Sequence, residues 1–371
     1  MLFISRLAYL FVTTVLLVVG NPHSASAQSI AEKLETVDIQ PFGRMIRQCC
    51  NFGYDAPVFW MPVHMGYITS VEHLGNHVFY GDDQEGNGII YSNHGGFIDL
   101  GHIRDNADLV AFFAWHISNS LGTDTTIETV REGGKRQIDL LLKGAELSDD
   151  DILRLAQRIS HEMSVWHEIR TYFGVPTFWP IHEKQSAFSP EDNYSNLLGT
   201  FVGYRALKRD GDFLTNMNKE INELFDLYDP VTSSDATTKA MDDVRGLWWR
   251  RVSLPSNRFL LAKYFDTYGT LEPWLIPSHA SYFDSPSKPI SLTVPETTGS
   301  GVTLTDLFDI DINPVPSIPV RKIIGRTRSG GISELDFPTY VKWIRDREVR
   351  YEKRNARLKK RSSPPPSTLT K

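Results

Sequence analysis

The 371-residue chain is 41% hydrophobic and 11% aromatic, with 39 Lys and Arg against 45 Asp and Glu for a formal net charge of −6. Residues 345–371 hold ten Lys and Arg against three Asp and Glu and residues 1–27 carry only Arg6, so the body, residues 28–344, is left at −14. That balance excludes a nucleic-acid-binding core, which needs clustered cations for phosphate. The two cysteines are adjacent, Cys49 and Cys50, which excludes a disulfide-stapled scaffold, because adjacent Cα atoms reach ordinary disulfide geometry only with strain.

Residues 1–27 read as a cleaved secretory signal. Arg6 precedes an apolar run over 7–19, Gly20-Asn21-Pro22 break it, and Ala25-Ser26-Ala27 supply the small residues before the cut. A run of that length is too short to cross a bilayer core of roughly 30 Å; an uncleaved anchor is the alternative reading. No other apolar stretch approaches membrane-spanning length, so the mature chain is expected as a soluble protein in the periplasm of a bacterium or outside the cell. Residues 28–48 look like a linker entering a short helix. From 50 to 101, apolar and aromatic runs at 56–60, 77–80 and 88–91 read as strands of a small sheet. Gly95-Gly96 marks a turn between strand and helix.

Asp99 can cap a helix running to about Asn119. Residues 125–131 and 136–142 form a β-ribbon around Gly133-Gly134. Ser148, with Asp151 three residues on, opens a long helix whose apolar stripe is Ile152, Leu155, Ala156, Ile159, Met163, Trp166 and Phe173, closed at Gly174. Another helix begins at Ser189-Pro190 and turns Leu197, Leu198, Phe201 and Val202 inward; a further one covers about 212–228. Residues 250–335, rich in Pro, Ser and Gly, read as long surface connections. The last helix starts near Pro338 and turns basic after Ile344, and 362–371 read as disordered. The class is α+β: a mainly helical single domain over 28–344 with a small N-terminal sheet, strands concentrated before residue 145, and a basic tail over 345–371.

Two polar strips could carry chemistry. At 100° per residue from Ile152, His167 falls at about 60°, Thr171 at about 100° and Glu168 at about 160°, a polar strip flanking the buried one. An imidazole followed by a carboxylate in that setting suits a zinc-hydrolase helix, in which one binds metal and the other polarises water. Asp192, Ser195, Asn196 and Gly199, at i, i+3, i+4 and i+7, share a face of the next helix. This stretch resembles the thermolysin-like zinc peptidases, whose His-Glu-x-x-His helix is followed by one bearing an acidic ligand in Glu-x-x-Ser-Asp. His167-Glu168 match the first motif and Asp192-x-x-Ser195-Asn196 the second, with Thr171 in place of the second histidine and Asp for Glu. His102, with Asp105 at i+3, can supply the missing ligand. The resulting constellation holds zinc or another divalent metal on His102, His167 and Asp192, with Glu168 as general base and Arg104 stabilising an oxyanion.

Each residue also has an ordinary structural reading. Asp192 can be the N3 carboxylate of a capping box opened by Ser189, and His167 a core-edge histidine bonded to a carbonyl. Arg104 and Asp105 can form an ion pair, and His161, near 180° from the stripe, can face solvent. His73 and His77 are a weak metal signal, Trp248-Trp249 and Trp274 read as packing, and Cys49-Cys50 reads as a buried thiol pair or a vicinal disulfide, with a redox or soft-metal role as the alternative. Several phrases together resemble a bacterial exported-protein family known as domain of unknown function 4056: Cys49-Cys50-Asn-Phe-Gly53, Asn87-Gly-Ile-Ile-Tyr91, Gly95-Gly-Phe-Ile-Asp-Leu-Gly-His-Ile-Arg-Asp105, Trp166-His-Glu168 and Phe188-Ser-Pro-Glu-Asp-x-Tyr-Ser-Asn-Leu-Leu-Gly199. That resemblance implies export and supplies no activity. The expected function is a peptidase-like metal-dependent hydrolase; the alternative is a non-catalytic cell-envelope binding protein. The basic tail can touch anionic lipid headgroups or other polyanions, or stay an ordinary solvated tail.

Overall fold

A computed structural model describes residues 28–39, 47, 52–53, 56–57, 64–65, 68–175, 186–249 and 266–362. In chain order these form α1 (Ile30–Lys33), the short pair β1 (Ala56–Pro57) and β2 (His64–Met65), the hairpin β3 (Ile89–Ser92) and β4 (Gly96–Asp99), and α2 (Leu100–Ser118). Next come β5 (Thr125–Thr129), β6 (Gly134–Leu140), α3 (Asp149–Tyr172), α4 (Asp192–Lys208), α5 (Phe213–Tyr228) and α6 (Ser234–Asp243). The strands β7 (Thr270–Leu271), β8 (Leu292–Thr293) and β9 (Phe308–Pro314), then α7 (Val320–Ile324) and α8 (Phe337–Ser362), complete the order. The fold is α+β and mainly helical, as the residue pattern implies.

Helices α2, α3 and α4 pack on one another, and α2 against α4 is the most intimate pairing. Glycine makes it so. A Cβ on Gly199 would stand 2.5 Å from the Ile103 carbonyl oxygen, and one on Gly203 would stand 2.8 Å from Ala107 Cα. The backbones therefore meet along a seam that no larger residue would allow, which brings the polar side chains one and two turns before Gly199 against α2.

Asp99 caps α2 through the Gly101 and His102 N–H groups, and Ser148 with Asp151 closes a full capping box on α3. Helix α4 begins two residues after Pro190, at Asp192. The hairpin β5–β6 is antiparallel, with Ile127 opposite Ile138, and β9 adds a third strand with Ile310 opposite Ile138. Phe308, Ile310 and Ile312 point into the core between exposed residues. Helix α8 lays Phe337, Tyr340 and Ile344 onto the body, and Phe337 stacks on Trp166 with ring centroids 5.8 Å apart. No helix among the described residues is long and apolar enough to cross a membrane.

Four local expectations change. Residues 77–80 are not a strand; the segment turns, with Tyr80 at φ 67°. Gly95-Gly96 joins two strands rather than a strand and a helix, and α2 follows β4 directly. Strands β7, β8 and β9 lie within the stretch that reads as surface connections and beyond residue 145, and Pro, Ser and Gly on either side mask the period-2 alternation of β9. Helix α6 is an addition, capped by Ser233. The tryptophan positions pack as expected: Trp249 is buried in a second core with Phe52, Tyr91 and Phe97, which Trp248 adjoins, and Trp274 packs on the main core. Residues 58–60, Cys49, Cys50 and 363–371 lie outside the described residues.

Candidate functional site

Helix α2 projects His102 and Asn106 at i, i+4 onto α4, where Asn196 and Asp192 are also i, i+4. The hydrogen bonds fix every orientation. Asn106 Nδ2 donates to the His102 carbonyl oxygen at 2.9 Å, which can only accept, so the same amide nitrogen must be the donor to Asn196 Oδ1 at 2.8 Å. His102 Nδ1, 2.8 Å from that oxygen, therefore carries the proton and donates. The other ring nitrogen, Nε2, stands 3.6 Å from Asp192 Oδ1. The other Asp192 oxygen accepts from Ser189 N–H at 2.8 Å. One Asp192 oxygen thus ties down the entry to α4 and the other faces the imidazole; Asp192 is the first residue of α4, with Glu191 at the N-cap, rather than the N3 carboxylate of a capping box opened by Ser189.

His167 is oriented in the same way by a residue that no local motif marks. Glu132 sits at the tip of the β5–β6 hairpin, and the following Gly133, at φ +68°, lets the tip press against α3; a Cβ there would lie 3.0 Å from Arg170 Cβ and 3.1 Å from the Trp166 ring. His167 Nδ1 donates to Glu132 Oε1 at 2.6 Å, Arg170 Nε donates to the same oxygen at 3.0 Å, and Arg136 Nη1 reaches Oε2 at 2.5 Å. Burial alone would raise the Glu132 pKa, but Arg170 and Arg136 outweigh it and hold the carboxyl ionised, well below the usual range. Burial, then the Arg170 charge, pulls His167 down to about 4, with a further push from His102. His167 is therefore neutral at physiological pH, and His102 is an electrostatic neighbour. A carboxylate holding the far nitrogen of an imidazole is the outer-shell arrangement found behind metal-binding histidines.

Glu168 accepts from the Phe188 N–H through Oε2 at 2.5 Å. Phe188 has φ 57°, a left-handed conformation costing about 1–2 kcal/mol for an L residue. Glu168 and Asp192 together hold that strained turn beside the helices. His102, Glu168, Asp192 and His167 are each no more than 3% exposed. Around them Thr171 Oγ1, Ser189 Oγ and Asn196 Nδ2 are buried with no hydrogen-bond partner among the described residues. Buried polar atoms of that kind call for a ligand, ion or water. The sequence-derived set is thus placed unequally. His102 and Asp192 come together; His167 and Glu168 approach from α3. Among the described residues no three His, Cys, Asp or Glu side chains converge closely enough to hold a metal ion together.

Arg104 is elsewhere. It lies about 200° around α2 from His102, and its guanidinium donates to the carbonyls of Glu85 (2.6 Å) and Gly75 (2.7 Å) and to Asn87 Oδ1 (2.9 Å). It clamps the 75–87 segment to α2. Asp105 pairs not with Arg104 but with Arg47, whose Nη1 is 2.6 Å away and also reaches Asp108 at 2.9 Å, while Nε bonds Glu85 at 2.6 Å. Burial would raise Glu85, but Arg47 holds it down to about 2; burial dominates at Asp105 and pushes it up to about 7. His77 joins this cluster through Asp108 Oδ1 at 2.9 Å, so it is a structural histidine, and His73 bonds Ser70 at 2.8 Å. His161 does not face solvent: it is 0% exposed, with Nε2 2.6 Å from the Thr267 carbonyl, because residues 266–272 cover that side of α3.

Residues 38–277 match the model of a family described as "Protein of unknown function (DUF4056)". The chain belongs to that family, and the match spans α2, α3 and α4 with all of the polar residues between them. No curated protein and no solved structure matches the chain.

Proposed function

We propose that the centre between α2, α3 and α4 is a hydrolytic site that works with a divalent cation, zinc being the ion its donors suit. The supporting observation is the His102–Asp192 pair. Its Nε2 and carboxylate oxygen are 3.6 Å apart, and two ligands about 2.0–2.2 Å from a tetrahedral zinc lie about 3.3–3.5 Å from each other. His167, held neutral and with its Nδ1 already given to Glu132, would be the third ligand, its ring moving towards the pair when an ion is present, since the three side chains do not converge as they stand. A bound ion would supply Lewis acidity and a water of lowered pKa.

The chain's own residues do the rest. Asn196 and Glu132 fix the two rings. Glu168, already committed to the Phe188 turn through one oxygen, is the group that takes up the proton of the attacking water. Thr171, Ser189 and Asn196 Nδ2 supply buried polar atoms for substrate. The strained, twice-tethered turn at Phe188 keeps the carboxylates in place without a wide solvent opening.

The site belongs to an exported protein in this reading. The Ala25-Ser26-Ala27 pattern supports it, and the first residue after the expected cut, Gln28, is already bonded to the body through Gly211 N–H at 2.9 Å. Elemental analysis of the mature chain tests the proposal, alongside a panel of peptide and ester substrates. About one equivalent of divalent metal is expected, lost in His167→Ala without unfolding, together with hydrolysis that chelation abolishes. A folded chain that takes up no divalent ion and cleaves nothing returns the protein to the alternative, a non-catalytic envelope binding protein.

A further inference from the structure

Helix α8 changes character along its length. Phe337, Tyr340, Val341 and Ile344 are buried, and Glu348 accepts from the Tyr172 hydroxyl at 2.5 Å. Past Val349 the residues Arg350, Lys353 and Arg354 are exposed, and Tyr351 is 60% exposed. The helix nevertheless continues to Ser362.

Residues 350–361 hold seven Lys and Arg and a single Glu. At 100° per residue, positions 350, 353, 354, 357, 360 and 361 fall within an arc of about 120°, with 358 and 351 (Leu and Tyr) about 40° and 60° beyond one edge. Like charges at i, i+3 and i+4 destabilise a helix standing in water. A stripe that repeats them over three turns gains from a facing array of negative charge. The body beneath is acidic, −14 over residues 28–344, so α8 is the positive pole of an otherwise negative molecule.

We propose that this stripe docks the protein on an anionic phospholipid surface. A flat array of headgroups matches a straight stripe about 18 Å long, and an aromatic residue beside the cations suits the headgroup level. A polyanion that wraps the protein, such as nucleic acid, would meet the acidic body on either side. The inference is independent of the three-helix centre, since it uses none of that centre's residues.

Co-sedimentation of the mature chain with vesicles tests it. Binding to vesicles of equal phosphatidylglycerol and phosphatidylcholine should exceed binding to pure phosphatidylcholine by about tenfold or more, and should fall steeply with salt. The triple variant Arg350→Glu/Lys353→Glu/Arg354→Glu should lose at least about tenfold with an unchanged circular dichroism spectrum, and Tyr351→Ala about two- to threefold. Equal binding to neutral and anionic vesicles, an undiminished triple variant, or vesicle binding displaced by an equal charge concentration of duplex DNA would each overturn the proposal; the last would assign the stripe to nucleic acid instead.

Discussion

Helix α3 carries the dipeptide His-Glu twice, at 161–162 and 167–168, and the two copies differ in what their side chains face. Both histidines are buried and pulled down to about 4, chiefly by burial. His161 gives its Nε2 proton to the Thr267 carbonyl, and Glu162 is held by Arg158 Nε at 2.9 Å and the Tyr268 hydroxyl at 2.8 Å. That copy fastens the 266–272 segment to the helix. His167 gives its Nδ1 proton to a carboxylate, with His102 as its electrostatic neighbour, and Glu168 fastens a strained turn beside Asp192. A His-Glu pair becomes a candidate site through what faces the ring, not through the pair itself.

The sharpest way to break that comparison is to delete one ring from each side. His102→Ala should lower zinc affinity by more than about 100-fold, while His161→Ala leaves affinity unchanged and costs stability; calorimetric titration with zinc and thermal unfolding separate the two. Equal losses of affinity would mean that the copies are equivalent.

The pH response sharpens it next. His161 has a folded pKa of about 4 against an ordinary 6.5, so the unfolded chain binds a proton that the folded chain refuses between those values. Its contribution to stability is intact above about pH 6.5 and is lost as pH falls towards 4, by up to about 3 kcal/mol. His161→Gln can keep a donor for the Thr267 carbonyl and removes the titration. The stability gap between wild type and this variant, measured by denaturant unfolding, should shrink from pH 7.5 to pH 4; a constant gap contradicts the assignment.

Glu132→Gln should cost about 10–100-fold in zinc affinity and move the pH midpoint of metal binding, because the carboxylate that orients His167 is gone while the packing volume stays. An unchanged midpoint would make Glu132 purely structural. The smallest effect is expected from Gly199→Ala. Its added methyl meets the Ile103 carbonyl, and overpacking of that kind costs about 1–3 kcal/mol. Zinc affinity should fall in parallel as Asn196 and Asp192 are pushed off α2.

Much of this was legible in the residues, for local reasons. The capping box at Ser148 and Asp151, the ribbon around Gly133-Gly134 and the shared face of Asp192, Asn196 and Gly199 all depend on spacing along one element, and all are present. Glu132 was not legible, because its role comes from a hairpin tip meeting a helix 35 residues on; the only trace was the glycine pair beside it. The Arg47 cluster has no local sequence signature for the same reason, drawing on residues 47, 77, 85, 105 and 108. Arg104 falls outside the centre because it stands about 200° around α2 from His102, and His161 is buried because residues 266–272 cover the face opposite the apolar stripe.

Crystals of the mature chain soaked in zinc, with anomalous diffraction recorded at the zinc edge, test the central claim most directly. The account predicts one strong peak about 2 Å from both His102 Nε2 and Asp192 Oδ1, with the His167 ring turned towards it. A fully occupied peak elsewhere, at the Cys49-Cys50 pair for instance, or density between His102 and Asp192 that shows only a direct contact, would contradict it.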